Sequence, residues 1–349
     1  MAHESLYRKH RPNSFADVVG QDQVTRPLSE SIKSGKISHA YLFSGSRGLG
    51  KTSVARIFAR EINKGGYDEN DVYEIDAASN NSVEDIRLLI DGVYTLPFGS
   101  AYKVYILDEA HMLSKAAWNA LLKTLEEPPA HAIFVLATTE RDKVPDTIQS
   151  RCEVYAFKQP TREVLAEAVR DVAKKEGYSL EGSAAELVAL LAEGSFRDAL
   201  SILQKVLAVT NGKKIDIAEV EIVSNAPRGE LVRRLLSGVA KKNAAEALGA
   251  IEEAVSQNID ARILAKLLIH RLRVVLLLRY APELAEELSR ELSAEDTELA
   301  RELSKERGVN SDTLKKLLDA YATIPYAAVS HLPLELAVVE ICENAKESA

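Results

Sequence analysis

The chain is poor in the residues that form covalent or metal-stabilised scaffolds. Among its 349 residues there are only two cysteines, Cys152 and Cys342. Two cysteines exclude a disulfide framework and a cysteine-only zinc site, and they are typical of a reducing compartment. The longest apolar runs, such as residues 274–278, are far too short to span a bilayer. The N-terminal residues contain no apolar signal segment, so we expect a cytoplasmic protein.

The charge of the chain is unevenly distributed. The net charge of −8 argues against a simple nucleic-acid binder, yet residues 1–60 carry ten Lys or Arg and four Asp or Glu. That segment is therefore +6, and the remaining 289 residues carry −14. Either the segment faces phosphate, of a nucleotide or of a nucleic acid, or it is a chance cluster on a solvated surface. Charge alone does not decide between them.

Short apolar runs alternate with amphipathic segments as far as residue 160, which is typical of a parallel α/β sheet. The predicted strands are 40–44, 72–76, 103–108, 132–137 and 153–157, and the predicted helices between them are 52–63, 82–93 and 115–126. Beyond residue 160 the pattern predicts short helices over 161–224 and longer helices over 225–349. The highly charged stretch 283–307 predicts an exposed helical face.

Residues 45–52 read GSRGLGKT and fit the phosphate-loop pattern G-x-x-x-x-G-K-[ST]. Glycines let backbone N–H groups turn toward phosphate oxygens, Lys51 would reach the β- and γ-phosphates, and Thr52 would ligate Mg²⁺. A glycine-rich turn that carries Lys-Thr by chance is the alternative, and the flanking strand and helix argue against it. The predicted nucleotide-binding residues of this segment are Gly45, Ser46, Arg47, Gly48, Leu49, Gly50, Lys51, Thr52 and Ser53.

Acidic and hydroxyl residues end the next strands. Asp108 is predicted to hold Mg²⁺, and Glu109 to orient and deprotonate the attacking water. Together with the phosphate loop, the pair predicts a nucleoside triphosphate hydrolase. Thr138 and Thr139 either hydrogen-bond that water or merely end a strand. His111 either senses the acidic pair or caps the following helix, and the cap is the simpler interpretation.

Several long blocks resemble the clamp-loader branch of the AAA+ ATPases, and within it the bacterial DNA polymerase III gamma/tau family. The blocks are YRKHRPNSFADVVGQ, HAYLFSGSRGLGKTSVAR, EIDAASNNSVEDIR, KVYILDEAHMLSKAAWNALLKTLEEPP, FVLATTE, SRCEVYAF and GSFRDALS. The resemblance implies an α/β AAA+ P-loop domain with a parallel sheet over 1–160. A small helical lid domain over 161–224 and an all-α collar or oligomerisation domain over 225–349 would follow.

The resemblance also implies roles that the residue chemistry leaves open. Thr139 would be the first sensor, Arg197 the second sensor from the lid, and Arg151 an arginine finger acting on ATP of a neighbouring subunit. The stretch 77–93 would face the clamp. The implied catalytic residues are Lys51, Asp108, Glu109, Thr139, Arg151 and Arg197. The implied metal ligands are Thr52 and Asp108. The residues implied to close over adenine and ribose are Tyr7, Arg11, Pro12, Val18 and Val19.

By the same resemblance, the chain would be the ATPase motor of a clamp loader in a DNA polymerase III-type holoenzyme. It would use ATP and Mg²⁺ to open a sliding clamp and load it on primed DNA in the bacterial cytoplasm. Other clamp-loader subunits, the clamp, the DNA backbone, the polymerase core and single-strand binding protein are the implied partners. The alternatives are a small subunit of the replication factor C type, a non-hydrolysing scaffold subunit and a hexameric AAA+ helicase or remodeller.

Two departures from the family pattern concern a metal site and length. The family typically has a cysteine zinc module after the phosphate-loop helix, whereas residues 61–71 read EINKGGYDEND. We therefore expect no zinc site. This departure strengthens the replication factor C alternative, whereas the stretches SRGLGKTS, DAASNN and HMLSKAAWNALLKTLEEPP still favour the bacterial family. The chain also lacks the extended C-terminal tail of the tau form, so it resembles a gamma-length or truncated form.

Overall fold

The five predicted strands form one parallel sheet in the computed structural model, which describes residues 4–283, 294–306 and 308–343. The strands are β1 (Ala40–Ser44), β2 (Val72–Asp76), β3 (Lys103–Asp108), β4 (Ala132–Thr138) and β5 (Glu153–Ala156). They pair in the order β2-β3-β4-β1-β5, and every pair is parallel. The three central strands are buried almost throughout, which explains their continuous apolar runs.

Helices cover both faces of this sheet. They are α1 (Leu6–Lys9), α2 (Asp22–Ser34), α3 (Lys51–Ile62), α4 (Val83–Val93), α5 (Lys115–Glu126) and α6 (Asp146–Gln149). One apolar cluster joins the sheet to α4 and α5 through Ile86 and Trp118. The other joins it to α2 and α3 through Leu28 and Phe58. The three helices predicted from the sequence are confirmed to within one residue at each end.

Among the described residues beyond 160, the secondary structure is helical, as predicted, apart from one short strand pair. The helices are α7 (Arg162–Lys175), α8 (Gly182–Leu191), α9 (Phe196–Val209), α10 (Ile217–Ser224), α11 (Gly229–Ala240), α12 (Ala244–Ser256), α13 (Ala261–Tyr280), α14 (Ala294–Leu303), α15 (Ser311–Thr323) and α16 (Leu332–Glu343). The two-residue strands β6 (Ser179–Leu180) and β7 (Lys214–Ile215) pair in parallel. No helix in the described ranges has both the length and the apolar character needed to cross a membrane.

The described residues divide into two compact units. The described parts of Met1–Ala168 and of Ala192–Ser201 form the sheet unit. Those of Val169–Leu191 and of Ile202–Ala349 form the helical unit. The three domain boundaries implied by the family resemblance stay predictions.

The charged stretch 283–307 is only partly an exposed face. Residues 284–293 and 307 lie outside the described residues. In α14, Asp296 and Leu303 are buried, and the Asp296 carboxylate lies 2.7 Å from the guanidinium of Arg271. The prediction of a solvated face is therefore wrong for this turn, because a charged side chain is buried here against a partner of opposite sign.

Candidate nucleotide-binding site

The loop between β1 and α3 has a backbone that requires glycine. Gly45, Gly48 and Gly50 have φ values of 145°, 78° and 90°. A Cβ atom on Gly45 would lie 2.7 Å from the carbonyl oxygen of Phe157, and one on Gly48 would lie 2.0 Å from Ser195 Oγ. Positive φ and these close approaches both exclude larger residues. The loop therefore curls tightly before α3, whose N-terminal end provides positive potential for an anion.

Lys51 is a buried cation inside this loop. Its side chain is 6% exposed, and its Nζ donates to the carbonyl oxygens of Gly45 (2.6 Å) and Ser46 (2.8 Å). Burial lowers the pKa of Lys51, and the nearby carboxylates of Glu109 and Asp108 oppose that effect. The groups bonded to this buried ammonium are uncharged carbonyl oxygens, so its charge is balanced only by carboxylates farther away. The site therefore fits the phosphates of a nucleotide.

Thr52 and Asp108 lie side by side at the carboxyl end of the sheet. The Thr52 hydroxyl donates to Asp108 Oδ2 at 2.8 Å. A hydroxyl and a carboxylate are oxygen ligands of the kind that Mg²⁺ prefers, so this donor set fits magnesium completed by phosphate oxygens and water. Among the described residues, no group of three or more His, Cys, Asp or Glu side chains is placed to hold a metal ion. The expected absence of a zinc site stays a prediction.

Glu109 adopts a left-handed backbone conformation, with φ 48° and ψ 42°. This conformation is uncommon for a residue with a Cβ atom and often marks a functional position. The Glu109 carboxylate accepts a hydrogen bond from Thr139 Oγ1 at 3.1 Å. The fold thus brings the predicted water activator against the predicted first sensor, although their roles stay predictions.

His111 does not cap the helix that follows it. The side chain of Ser114 caps α5 by accepting from the N–H of Ala117. The His111 ring instead lies 3.0 Å from Thr138 Oγ1 through Nδ1 and 3.3 Å from Glu140 Oε1 through Nε2. The simpler interpretation of His111 is therefore wrong.

The start of α9 meets the phosphate loop and α1. The N–H of Phe196 donates to the carbonyl oxygen of Gly48 at 3.2 Å. The guanidinium of Arg197 lies 5.6 Å from the centre of the Tyr7 ring, close enough for a cation–π interaction. The fold therefore brings together Tyr7, Arg197 and the phosphate loop, which are separated widely in sequence.

The remaining predicted nucleotide contacts differ in exposure. Arg11, Pro12 and Ser53 line one open cavity beside α3, and burial, followed by the charge of Arg56, lowers the pKa of Arg11. Ser46 and Arg47 are exposed at the loop. The side chain of Leu49 is buried in the apolar cluster below the loop, and Val18 packs against the same cluster, whereas Val19 is exposed. Only the backbone of Leu49 is therefore available to a ligand.

Arg151 has different neighbours from the other predicted catalytic residues. Its guanidinium pairs with Glu126 at 2.5 Å and donates to the carbonyl oxygen of Thr147 at 2.6 Å. Both partners lie at the ends of helices, α5 and α6, and neither belongs to the phosphate loop. Sequence reasoning predicted neither the pairing of Arg151 with Glu126 nor the approach of Glu140 to His111 and of Ser195 to Gly48, because each joins residues that only the fold brings together.

Comparisons with known proteins agree with this architecture. The family model described as DNA polymerase III, delta subunit matches residues 20–74 and 66–161. The model described as the ATPase lid domain of the DNA polymerase III clamp loader subunit matches residues 164–212.

Two curated relatives and one solved structure illustrate the similarity. The DNA polymerase III subunit tau of Bacillus subtilis is 38% identical over 379 aligned residues, which cover 100% of this chain and 65% of that protein. The gamma/tau subunit of Mycoplasma pneumoniae is 43% identical over 237 residues, or 63% of this chain and 35% of that protein. The RuvB Holliday junction branch migration motor of Thermotoga maritima has a TM-score of 0.52 and 25% identity, covering 66% of this chain and 78% of that structure.

The parallel sheet, phosphate loop and helical lid define a P-loop ATPase fold of the AAA+ class. Within that class, the chain belongs to the DNA polymerase III gamma/tau family of clamp-loader subunits. Family membership sets aside the replication factor C alternative. The chain spans less than two thirds of the length of these two curated relatives.

Proposed function

We propose that this chain is an ATP-hydrolysing motor subunit of a clamp loader, which opens a sliding clamp and loads it on primed DNA. The observation that carries the proposal is the convergence of Lys51, the Thr52–Asp108 pair and the Glu109–Thr139 pair beside one glycine-rich loop. Each pair supplies one part of a phosphoryl-transfer site. The rest of the proposal follows from membership of the family.

Different residues of the chain would bind the phosphates of ATP, hold magnesium and activate the attacking water. Lys51 and the loop N–H groups bind the β- and γ-phosphates, and Thr52 and Asp108 hold magnesium. Magnesium, when bound, neutralises charge on the phosphates. Glu109 orients the attacking water and accepts its proton, while the Thr139 hydroxyl holds the Glu109 carboxylate in place.

The base and ribose would lie between the N-terminal segment and the start of α9. Tyr7 offers a flat aromatic surface and Arg197 reaches toward the phosphates as the second sensor. Pro12 and Val19 add apolar surface, which suits adenine. Arg11, Val18, Ser53 and the loop residues Ser46 and Arg47 complete the proposed nucleotide contacts.

Arg151 would act on the ATP of a neighbouring subunit. Its pairing with Glu126 is partly exposed to solvent, with 34% and 43% of the two side chains accessible. Such pairs contribute only about 0–1 kcal/mol, so little free energy opposes the transfer of Arg151 from Glu126 to a phosphate. Assembly would then place the guanidinium where charge develops on the transferring phosphoryl group.

The stretch 77–93 and the segment that follows it would contact the sliding clamp. Leu88, Leu96 and Phe98 are each more than 70% exposed, an unusual density of large apolar side chains for a surface. The buried carboxylate of Asp71 accepts hydrogen bonds from three consecutive N–H groups, those of residues 98–100. These bonds fix the backbone of the segment that carries Phe98.

The other proposed partners follow from the family. They are the remaining clamp-loader subunits, the backbone of primed DNA, the polymerase core and single-strand binding protein. These partners place the chain in the bacterial cytoplasm, at the nucleoid.

A non-hydrolysing scaffold is the second candidate. The presence of Lys51, Thr52, Asp108 and Glu109 in one site argues against it. ATP affinity of the chain decides between the two, since a scaffold with a dead site would not bind ATP. A hexameric remodeller is disfavoured because the similarity to RuvB is one of fold alone.

The experiment that tests the proposed function measures ATP turnover of the assembled clamp loader with and without clamp and primed DNA. The wild type should be stimulated by both. Arg151→Ala should bind ATP as the wild type does and lose stimulated turnover by about 1,000-fold or more, as expected for an arginine finger. Arg26→Ala, at another exposed arginine paired with a glutamate, is the matched control and should keep full turnover.

Two outcomes would contradict the proposal. A wild type that shows no response to clamp and DNA would rule out the motor function. Normal stimulated turnover in Arg151→Ala would rule out action in trans by this residue.

A further inference from the structure

His111 lies in a short turn between Glu109 and the segment that follows β4. Its side chain is 7% exposed, so three polar side chains rather than solvent surround the ring. Nδ1 is 3.0 Å from Thr138 Oγ1 and 3.6 Å from Glu109 Oε2, and Nε2 is 3.3 Å from Glu140 Oε1. A buried histidine with partners on both nitrogens has a defined orientation.

The neighbours of the ring fix its orientation. Lys143 lies 2.9 Å from Glu140 and lowers the pKa of that carboxyl group, so the Glu140 carboxylate is an acceptor. Nε2 therefore donates to Glu140. Nδ1 is hydrogen-bonded to Thr138 Oγ1, and the same oxygen accepts from the N–H of Glu140 at 3.0 Å. These bonds link Thr138, His111 and Glu140.

This arrangement affects Glu109. Nδ1, which is bonded to Thr138 Oγ1, lies 3.6 Å from Glu109 Oε2, so the ring packs beside the Glu109 carboxylate without a hydrogen bond to it. The hydrogen bond that Glu109 accepts comes from Thr139 on the other side. The Glu109 carboxylate thus lies between the Thr139 hydroxyl, which donates to it, and the His111 ring. In this position it can still accept a proton from water.

We propose that His111 is a positioning residue for Glu109, which uses Thr138 and Glu140 as anchors to hold the carboxylate in the direction set by Thr139. The inference rests on the proposed ATPase function, because it assigns Glu109 to the attacking water. A ring that merely fills space would affect stability and leave turnover per folded molecule unchanged. That difference makes the two roles separable by kinetics.

Three substitutions at position 111 separate the contacts. His111→Phe keeps the ring and removes both polar contacts. His111→Asn keeps an acceptor near Nδ1, and His111→Gln keeps a donor near Nε2. Thr138→Val removes the anchoring hydroxyl at nearly constant volume, which permits a double-mutant cycle with His111→Phe.

The test measures ATP affinity with a fluorescent ATP analogue and turnover with clamp and primed DNA, using the full chain in its clamp-loader assembly. We expect His111→Phe to lower kcat by about 10- to 100-fold, the effect of a misplacement of about 1 Å, while the dissociation constant for ATP is unchanged. His111→Asn should recover part of the loss. In the Thr138→Val background, His111→Phe should cost little more.

Three results would overturn the inference. One is a wild-type kcat in His111→Phe, and another is a loss that adds in full to that of Thr138→Val. The third is a loss of kcat that follows only the fraction of unfolded protein, measured by thermal unfolding. A wild-type assembly without ATP turnover would instead overturn the proposed function, and this inference with it.

Discussion

Two buried cations, one in each unit, show how differently the two regions use charge. Arg271 in the helical unit is 7% exposed and donates to Asp296 Oδ2 at 2.7 Å. Lys51 in the sheet unit is 6% exposed and donates to two backbone carbonyl groups. Burial lowers the pKa of both groups. A buried cation with its own carboxylate is structurally complete, whereas one held by carbonyl groups still favours an anion.

The surroundings of each cation extend this contrast. Beside Arg271, Arg233 also donates to the Asp296 carboxylate, and Glu221 accepts from the N–H of Gly229. Those groups satisfy one another within the chain. Beside Lys51, the Thr52–Asp108 pair offers oxygen ligands of the kind that Mg²⁺ prefers. The helical unit uses buried charge for structure, whereas in the proposed function the sheet unit uses it to bind a ligand.

The largest expected effect tests the structural role of buried charge in the helical unit, and it is a loss of stability on substitution of Arg271. Arg271→Met leaves the buried Asp296 carboxylate without its closest partner, so the free energy of unfolding should fall by about 3–5 kcal/mol. Urea denaturation followed by circular dichroism measures it. The double variant with Asp296→Leu should recover much of the loss, because both charges are then removed. A loss below about 1 kcal/mol in Arg271→Met would show that this pair is not structurally important.

The next effect concerns ligand binding at Lys51. Lys51→Ala removes charge-assisted hydrogen bonds to phosphate, so ATP affinity should fall by about 100- to 1,000-fold, which abolishes binding at ordinary concentrations. The free energy of unfolding without nucleotide should change far less than in Arg271→Met. Titration with a fluorescent ATP analogue and urea denaturation measure the two quantities.

A second buried lysine provides the matched control for Lys51. Lys103 is 2% exposed and donates to the Gly92 carbonyl group and to Thr95 Oγ1. Lys103→Met should therefore lower stability and leave ATP affinity unchanged. An equal loss of ATP affinity in Lys103→Met and Lys51→Ala would show that the Lys51 effect is not specific to the phosphate loop.

The smallest predicted effect concerns the backbone of the phosphate loop, where a glycine is replaced by alanine. Gly48→Ala combines a left-handed conformation, which costs about 1–2 kcal/mol, with a collision against Ser195 Oγ. Gly35→Ala has a similar φ of 67° and no atom within 4 Å of the added Cβ, so it isolates the conformational cost. We expect Gly48→Ala to lower stability more than Gly35→Ala and to weaken ATP binding by about tenfold.

The paired measurement on the two glycine variants is urea denaturation together with ATP titration. Equal losses of stability at positions 48 and 35 would mean that the loop tolerates a side chain against Ser195. Ser195→Gly in the Gly48→Ala background should restore part of the difference.

Much of the sheet unit could be predicted from the chain because its signals are local. The strand at residues 103–108 contains a continuous apolar run over 104–107, since both faces of a parallel sheet are covered. The phosphate loop is recognisable since its glycines, lysine and threonine are consecutive. By contrast, the pair β6–β7 was not predicted, because two-residue strands carry no usable periodicity.

The partners of individual side chains were harder to predict for a related reason. The assignment of His111 to a helix cap failed because its partners, Thr138 and Glu140, lie more than 25 residues away in the chain. The burial of Asp296 was likewise hidden in a run of charges, since only packing distinguishes the buried turn from its exposed neighbours.

The sequence by itself determined the phosphate loop, the alternation of strands and helices and the residues available for chemistry, since each is written in neighbouring residues. Only the tertiary structure decided that Ser195 would close against Gly48, that Arg197 would meet Tyr7, and that Asp296 would neutralise Arg271. Those contacts join residues far apart in the chain, and they form because folding buries apolar surface and leaves each buried polar group to find a partner nearby.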